Sequence, residues 1–223
     1  MFAPDSLFDM AQTRHADLFA SCERAWEALP RLAEFVAAQL QPGIQGQISP
    51  QATIGDKVQI GTGTVVEAGA MITGPAIVGA NCLIRHNAYL RENVIIGDDC
   101  LVGNACELKH CVLFNECEVP HFNYVGDSIL GYRAHLGAGV VLSNVKVTPG
   151  AIRIENLDTD LEKLGALIGD RAEIGCNSVL NPGSVIGRDC LVYPNTPWRG
   201  VLPAGHLVKS RPGLEIVERS ADS

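Results

Sequence analysis

Aromatic side chains are scarce in this chain: they are 5% of 223 residues, with 2 tryptophans, against 47% hydrophobic residues overall. Any core must therefore be aliphatic, and ring stacking is excluded as its main cohesion. Basic charge is also short. The 17 lysines and arginines face 25 aspartates and glutamates, a formal net of −8, which excludes a general nucleic-acid binder. A small anion held by a few local cations stays open. No run approaches the ~18 apolar residues of a membrane span, and no basic stretch followed by an apolar one opens the chain. A cytoplasmic location without membrane contact is expected. There are 8 cysteines but no C-x2-C pair, so no metal site is expected, and the thiols read as reduced packing groups.

What the chain has in abundance is rhythm. An aliphatic residue returns every sixth position through Ile48, Ile54, Ile60, Val66, Ile72, Val78, Ile84, Leu90, Ile96, Val102 and Leu108. A small or slender residue holds the fifth place of each hexad, as at Ala52, Ala70, Cys82, Ala88 and Cys100. A period of six fits neither the 3.6 of a helix nor the alternation of a hairpin. It fits an all-β solenoid, a left-handed parallel β-helix in which three short strands and three turns make one coil of about 18 residues. About seven coils are expected.

Domain boundaries follow from where the rhythm starts and stops. Residues 1–43 carry a stripe (Leu18, Cys22, Trp26, Leu29, Ala33, Val36, Leu40) at helical spacing and read as one to three helices packed on the solenoid. Residues 44–197 are the β-helix, with an inserted loop at 145–167, and 198–223 form a C-terminal tail across the last coil. The rhythm slips twice, since Leu108 to Leu113 and Val125 to Leu130 are five apart. Such breaks in a regular pattern are where function is expected.

The slipped region also holds the polar residues that draw attention. Arg91 and Lys109 are 18 apart, hence stacked one coil above the other, and together suit a two-cation clamp for a phosphate. Near them lie Pro120-His121-Phe-Asn-Tyr124-Val-Gly-Asp127 and Leu136-Gly-Ala-Gly139. His121 has an ordinary pKa near 6.5, suited to accepting a proton at neutral pH.

The run from His121 to Asp127, with Asn104, Glu107, Lys109 and Arg91 before it, resembles the C-terminal acetyltransferase domain of bifunctional GlmU, a glucosamine-1-phosphate N-acetyltransferase and uridylyltransferase. The resemblance covers roughly residues 85–211. It implies an acyltransferase that uses acetyl-CoA on an amino-sugar phosphate or nucleotide sugar and assembles as a homotrimer. His121 would then be the general base, and Arg91, Lys109 and Tyr124 would hold the sugar phosphate. His135 and Lys163 fall at further substrate positions of that family. Ala138, Asn144, Cys176 and Arg211 correspond to its coenzyme contacts. The tyrosine that follows the family's asparagine is Val145 here, a serine is Cys176, and an alanine aligns with Pro194. Residues 1–41 do not house the family's nucleotidyltransferase domain, so uridylyl transfer is not expected of this chain.

Two other readings stand beside this one. A non-catalytic module that binds a sugar phosphate, or docks a separate nucleotidyltransferase, would explain the altered coenzyme positions. A γ-class carbonic anhydrase uses the same fold with three histidines on zinc, two of them five apart. Here His86, His110, His121 and His135 offer no such pair.

Overall fold

The structure is a computed structural model and describes residues 2–210. Parallel strands of two to four residues stack into three long sheets, two of nine strands and one of eight. The first face runs from Gly43–Ile44 to Val201–Leu202, the second from Gln47–Ile48 to Leu207–Val208, and the third from Thr53–Ile54 to Pro197–Trp198. Together they wind a left-handed hexapeptide β-helix of about nine coils, roughly 40 Å long at ~4.8 Å per coil.

Nine coils replace the expected seven because the tail reading fails over its first part. Pro197–Trp198 pairs with Val179–Leu180, Val201–Leu202 with Val185–Ile186, and Leu207–Val208 with Leu191–Val192. Residues 197–208 are thus the final coil, too short in its turns to register as hexads.

The hexad aliphatics form the inner core. Ile60, Ile72, Ile84, Leu90, Ile96, Val102 and Leu108 are fully buried, with the small residues Ala70, Cys82, Ala88 and Cys100 packed between them. Each turn needs a residue at positive φ, which asparagine and aspartate supply at Asn81, Asn87, Asn93, Asp99 and Asn177.

A second apolar cluster lies outside the prism, on the first face. Ile77, Ile95, Val112, Ile129, Leu167 and Val185 point outward there, yet are buried. The N-terminal segment covers them. It has one substantial helix, Leu29–Gln39, with Pro30 in its first turn where a missing N–H costs nothing. The helical stripe foreseen over Leu18–Trp26 is instead a pair of short 3₁₀ turns, and Ala33 faces solvent while Leu32 is buried. Phe8, Phe19 and Phe114 form a ring cluster with centroids 5.2–6.0 Å apart that fastens the segment to the solenoid. From the other side the excursion returns Ile152, Ile154 and Leu164 to the same cluster. It includes a small antiparallel hairpin, Arg153–Ile154 with Leu157–Asp158. Among the described residues no helix is long and apolar enough to cross a membrane.

Candidate active site at one edge of the prism

From Ile48 onward, every departure from six-residue spacing falls at one corner, where the third face turns into the first. Leu108 to Leu113 and Val125 to Leu130 are each one residue short, and Trp198 to Leu202 is two short. The excursion leaves and re-enters between Leu142 and Ile168 at that same corner. The strands on either side still pair in register, Ile129 with Leu167 and Leu142 with Leu180.

Arg91 and Lys109 stand on this edge. Leu90 pairs with Leu108, and Arg91 donates its backbone N–H to Leu108 O, so the two cations occupy successive coils. Neither is free. Arg91 Nη1 lies 3.0 Å from Glu107 Oε1, and its Nε is 3.5 Å from Glu92 Oε2. Lys109 Nζ is 3.8 Å from Glu92 Oε1 and 4.0 Å from Asp127 Oδ2. The hydrogen bond to Glu107, with the nearby Glu92 charge, raises the Arg91 pKa further above its ordinary value.

Tyr124 and Asn144 complete the network. Asn144 stacks one coil above Asp127 and donates to its Oδ2 at 2.5 Å. Burial pushes the Tyr124 phenol above its usual pKa; the Glu107 and Asp127 charges add to this, and a hydrogen bond with Asn144 opposes it. The phenol lies over Gly126, where an added Cβ would come within 2.6 Å of the hydroxyl. Glycine there is what lets the ring lie flat across the third face. Asn144, foreseen as a coenzyme contact, therefore stands with Tyr124, Asp127 and Lys109.

His121 approaches the third face from its other edge, the corner after Glu118–His121. It pairs with Asn104 below, and Gly139 of the coil above donates its N–H to His121 O. Continuing the register places Ala138 above His121, Cys176 above Ala138 and Pro194 above Cys176. The corner is built with little tolerance. A Cβ on Gly103 would fall 1.5 Å from Pro120 O, so only glycine lets the His121 strand settle on the coil beneath. Buried Asn123 accepts the His121 N–H at 3.0 Å and donates to Gly137 O at 2.7 Å, which ties this turn to the Gly-Ala-Gly turn. His121 itself is exposed, as is Cys176. Phe122 beside it holds a positive φ of 54° and is 62% exposed, at a place where the adjacent coils use Ala105 and Gly139 and more distant ones Asn87 and Asn177.

The histidine and the cation pair thus stand at opposite edges of one face, three residues or roughly 10 Å wide, with Tyr124 between them. The remaining candidates scatter. Lys163 is exposed at the foot of the excursion, where its backbone bridges Val145. His135 lies on the second face, its Nδ1 2.7 Å from Glu173 Oε2, in a shallow hollow of about 770 Å³ that also includes Glu116, Glu118 and Arg133. It is not part of the Arg91 network. Arg211 lies outside the described residues. Sequence reasoning did not assign roles to Glu92, Asp127 and Asn123. The carboxylates at 92 and 127 could have been found by continuing the coil spacing one place beyond Arg91 and Lys109.

Residues 72–157 match the family model described as the GMPPB C-terminal domain. A bifunctional sugar-1-phosphate nucleotidylyltransferase/acetyltransferase of Sulfurisphaera tokodaii is 30% identical over 92 residues, 40% of this chain and 23% of that protein. The bifunctional protein GlmU of Methanococcus maripaludis strain C5 is 33% identical over 92 residues, covering 40% of this chain and 22% of the relative. The chain is a hexapeptide β-helix similar to that of GlmU. The match spans less than a quarter of either relative, and the stretch matched by the family model takes in the edge just described. Among solved structures, UDP-N-acetylglucosamine acyltransferase of Francisella novicida aligns with a TM-score of 0.37 and 15% identity, covering 73% of this chain and 64% of that one.

Proposed function

We propose that the third face catalyses acyl transfer from acetyl-CoA to the amine of an amino-sugar phosphate or nucleotide sugar, without uridylyl transfer. The observation that supports the reading best is the grouping of His121, half-buried Ala138 and Cys176 in one column, across a single face from Arg91 and Lys109, with Tyr124 between. The thioester supplies an activated acyl carbon. His121 takes the proton from the attacking amine as the new C–N bond forms and the C–S bond breaks, and it can return that proton to the departing thiolate. The backbone N–H of Ala138 or a neighbour stabilises the developing oxyanion. Arg91, Lys109 and Tyr124 orient the sugar phosphate. A homotrimer fits this picture, because an open corner with an exposed Phe122 gains its second wall from a neighbouring subunit.

The test is thiol release from acetyl-CoA against a panel of amino-sugar phosphates. His121→Ala is expected to lower turnover by about 10²–10⁴-fold while leaving sugar-phosphate binding in place. An unchanged rate removes His121 from the mechanism. One observation favours a second reading, a non-catalytic module that binds the sugar phosphate. Glu92, Glu107 and Asp127 already balance the two cations, and Cys176 and Pro194 depart from the family's coenzyme positions. Calorimetric binding of a sugar phosphate with no acetyl-CoA binding would select it.

A further inference from the structure

The column that begins with Arg91 and Lys109 continues up the edge. Register carries it through Gly126 and Ser143 to Asn181, whose N–H bonds Trp198 O, and then to Arg199. Ser143, Val145, Lys146, Thr148, Asn181 and Arg199 line a hollow of about 290 Å³ beneath the excursion. Its cations differ from the first pair in one respect. Lys146 Nζ donates to the Ala151 carbonyl at 2.7 Å, and among the described residues no carboxylate lies within 4.0 Å of Lys146 or Arg199. In a chain of net charge −8, two cations, two hydroxyls and an amide share one hollow with no carboxylate to balance them.

We infer that this hollow is a phosphate-binding subsite, and that it takes the phosphate or diphosphate of a ligand lying along the edge. Charge makes this hollow the less encumbered of the two anion sites, since three carboxylates already engage Arg91 and Lys109. At Lys146 and Arg199 an anion meets donors without first displacing a carboxylate. Ser143 is two coils from Lys109 and Arg199 two coils further, at ~4.8 Å each. A ligand with its sugar on the third face and a diphosphate further along the edge reaches both. The assignment does not depend on His121 being a base, because it concerns binding alone.

The experiment is calorimetric titration of the full chain with inorganic pyrophosphate, then with UDP and with coenzyme A. Arg199→Ala leaves the excursion's own Lys146–Ala151 hydrogen bond untouched. It is expected to weaken pyrophosphate about tenfold, the loss of one charge-assisted contact. Lys146→Ala is expected to do the same, and Arg133→Ala, at a different corner, to change nothing. Whichever of UDP and coenzyme A weakens in parallel identifies the source of the phosphate. Pyrophosphate affinity unchanged in Arg199→Ala and Lys146→Ala, no binding at millimolar concentration, or a loss seen only in Lys109→Ala would each overturn the assignment.

Discussion

Cys82, Cys100, Cys106, Cys117 and Cys190 show how single residues serve this fold. Each Sγ donates to a carbonyl of the next coil at 2.9–3.1 Å: Gly97, Phe114, Val119, Gly131 and Pro203 in turn. Thr64 does the same with its hydroxyl to Gly79 O at 2.8 Å, so the position wants a slender donor rather than sulfur as such. Hydrogen bonding to its neighbour Cys100 and burial raise the Cys82 pKa, and burial raises that of Cys100, which keeps them as unreactive thiols. In the native protein, Ellman's reagent should titrate Cys176 fast and the half-buried Cys22 slowly. The six buried thiols should appear only on unfolding. Asp170 is the other telling residue. Its carboxylate accepts the Tyr132 and Asp9 N–H groups, both at 2.8 Å, and lies 3.2 Å from Arg188 Nε. Burial nevertheless holds its pKa above the usual aspartate value. Between that raised pKa and the ordinary value near 3.9, the folded state binds more proton than the unfolded one, so stability from this group rises as pH falls. Thermal melts of wild type and Asp170→Asn should therefore diverge in favour of wild type on acidification from neutral pH. A difference that shrinks would contradict the sign.

Among the elements, the N-terminal segment depends on its aromatic anchor. Phe114→Ala should cost about 3–5 kcal/mol and loosen residues 2–40. Limited proteolysis would then cut within them, while the far-UV signal of the solenoid persists. The sequence made the prism legible because inward aliphatics recur at one fixed interval. It also carried a signal for the covered face that went unread. On the first face, from Ile77 to Val185, the residue before each inward aliphatic (Ile77, Ile95, Val112, Ile129, Leu167, Val185) is apolar where an uncovered wall would be polar. The last coil breaks the rhythm because Trp198 to Leu202 is only four residues. At the site, Arg91 below Lys109 could be read from spacing. That their charges are already engaged could not, since Glu92 reaches both by side-chain direction rather than by register.

For the molecule as a whole, the three walls are not equivalent. The first is sealed by the chain's own N-terminal segment and excursion. The proposed trimer would use the corner between the second and third walls, where Phe122, Leu191 and Tyr193 are exposed. Sedimentation should give three times the 23.8 kDa chain mass, and Phe122→Glu should return the single-chain value if that corner makes the proposed trimer. The excursion has a different consequence. Because the coils before and after it lock together as neighbours, the polypeptide between Ser143 and Gly165 behaves as an interchangeable fitting. Replacing it with one of another length, while keeping its Ile152 and Ile154 footing, would restyle the overhang at this corner without disturbing the masonry beneath.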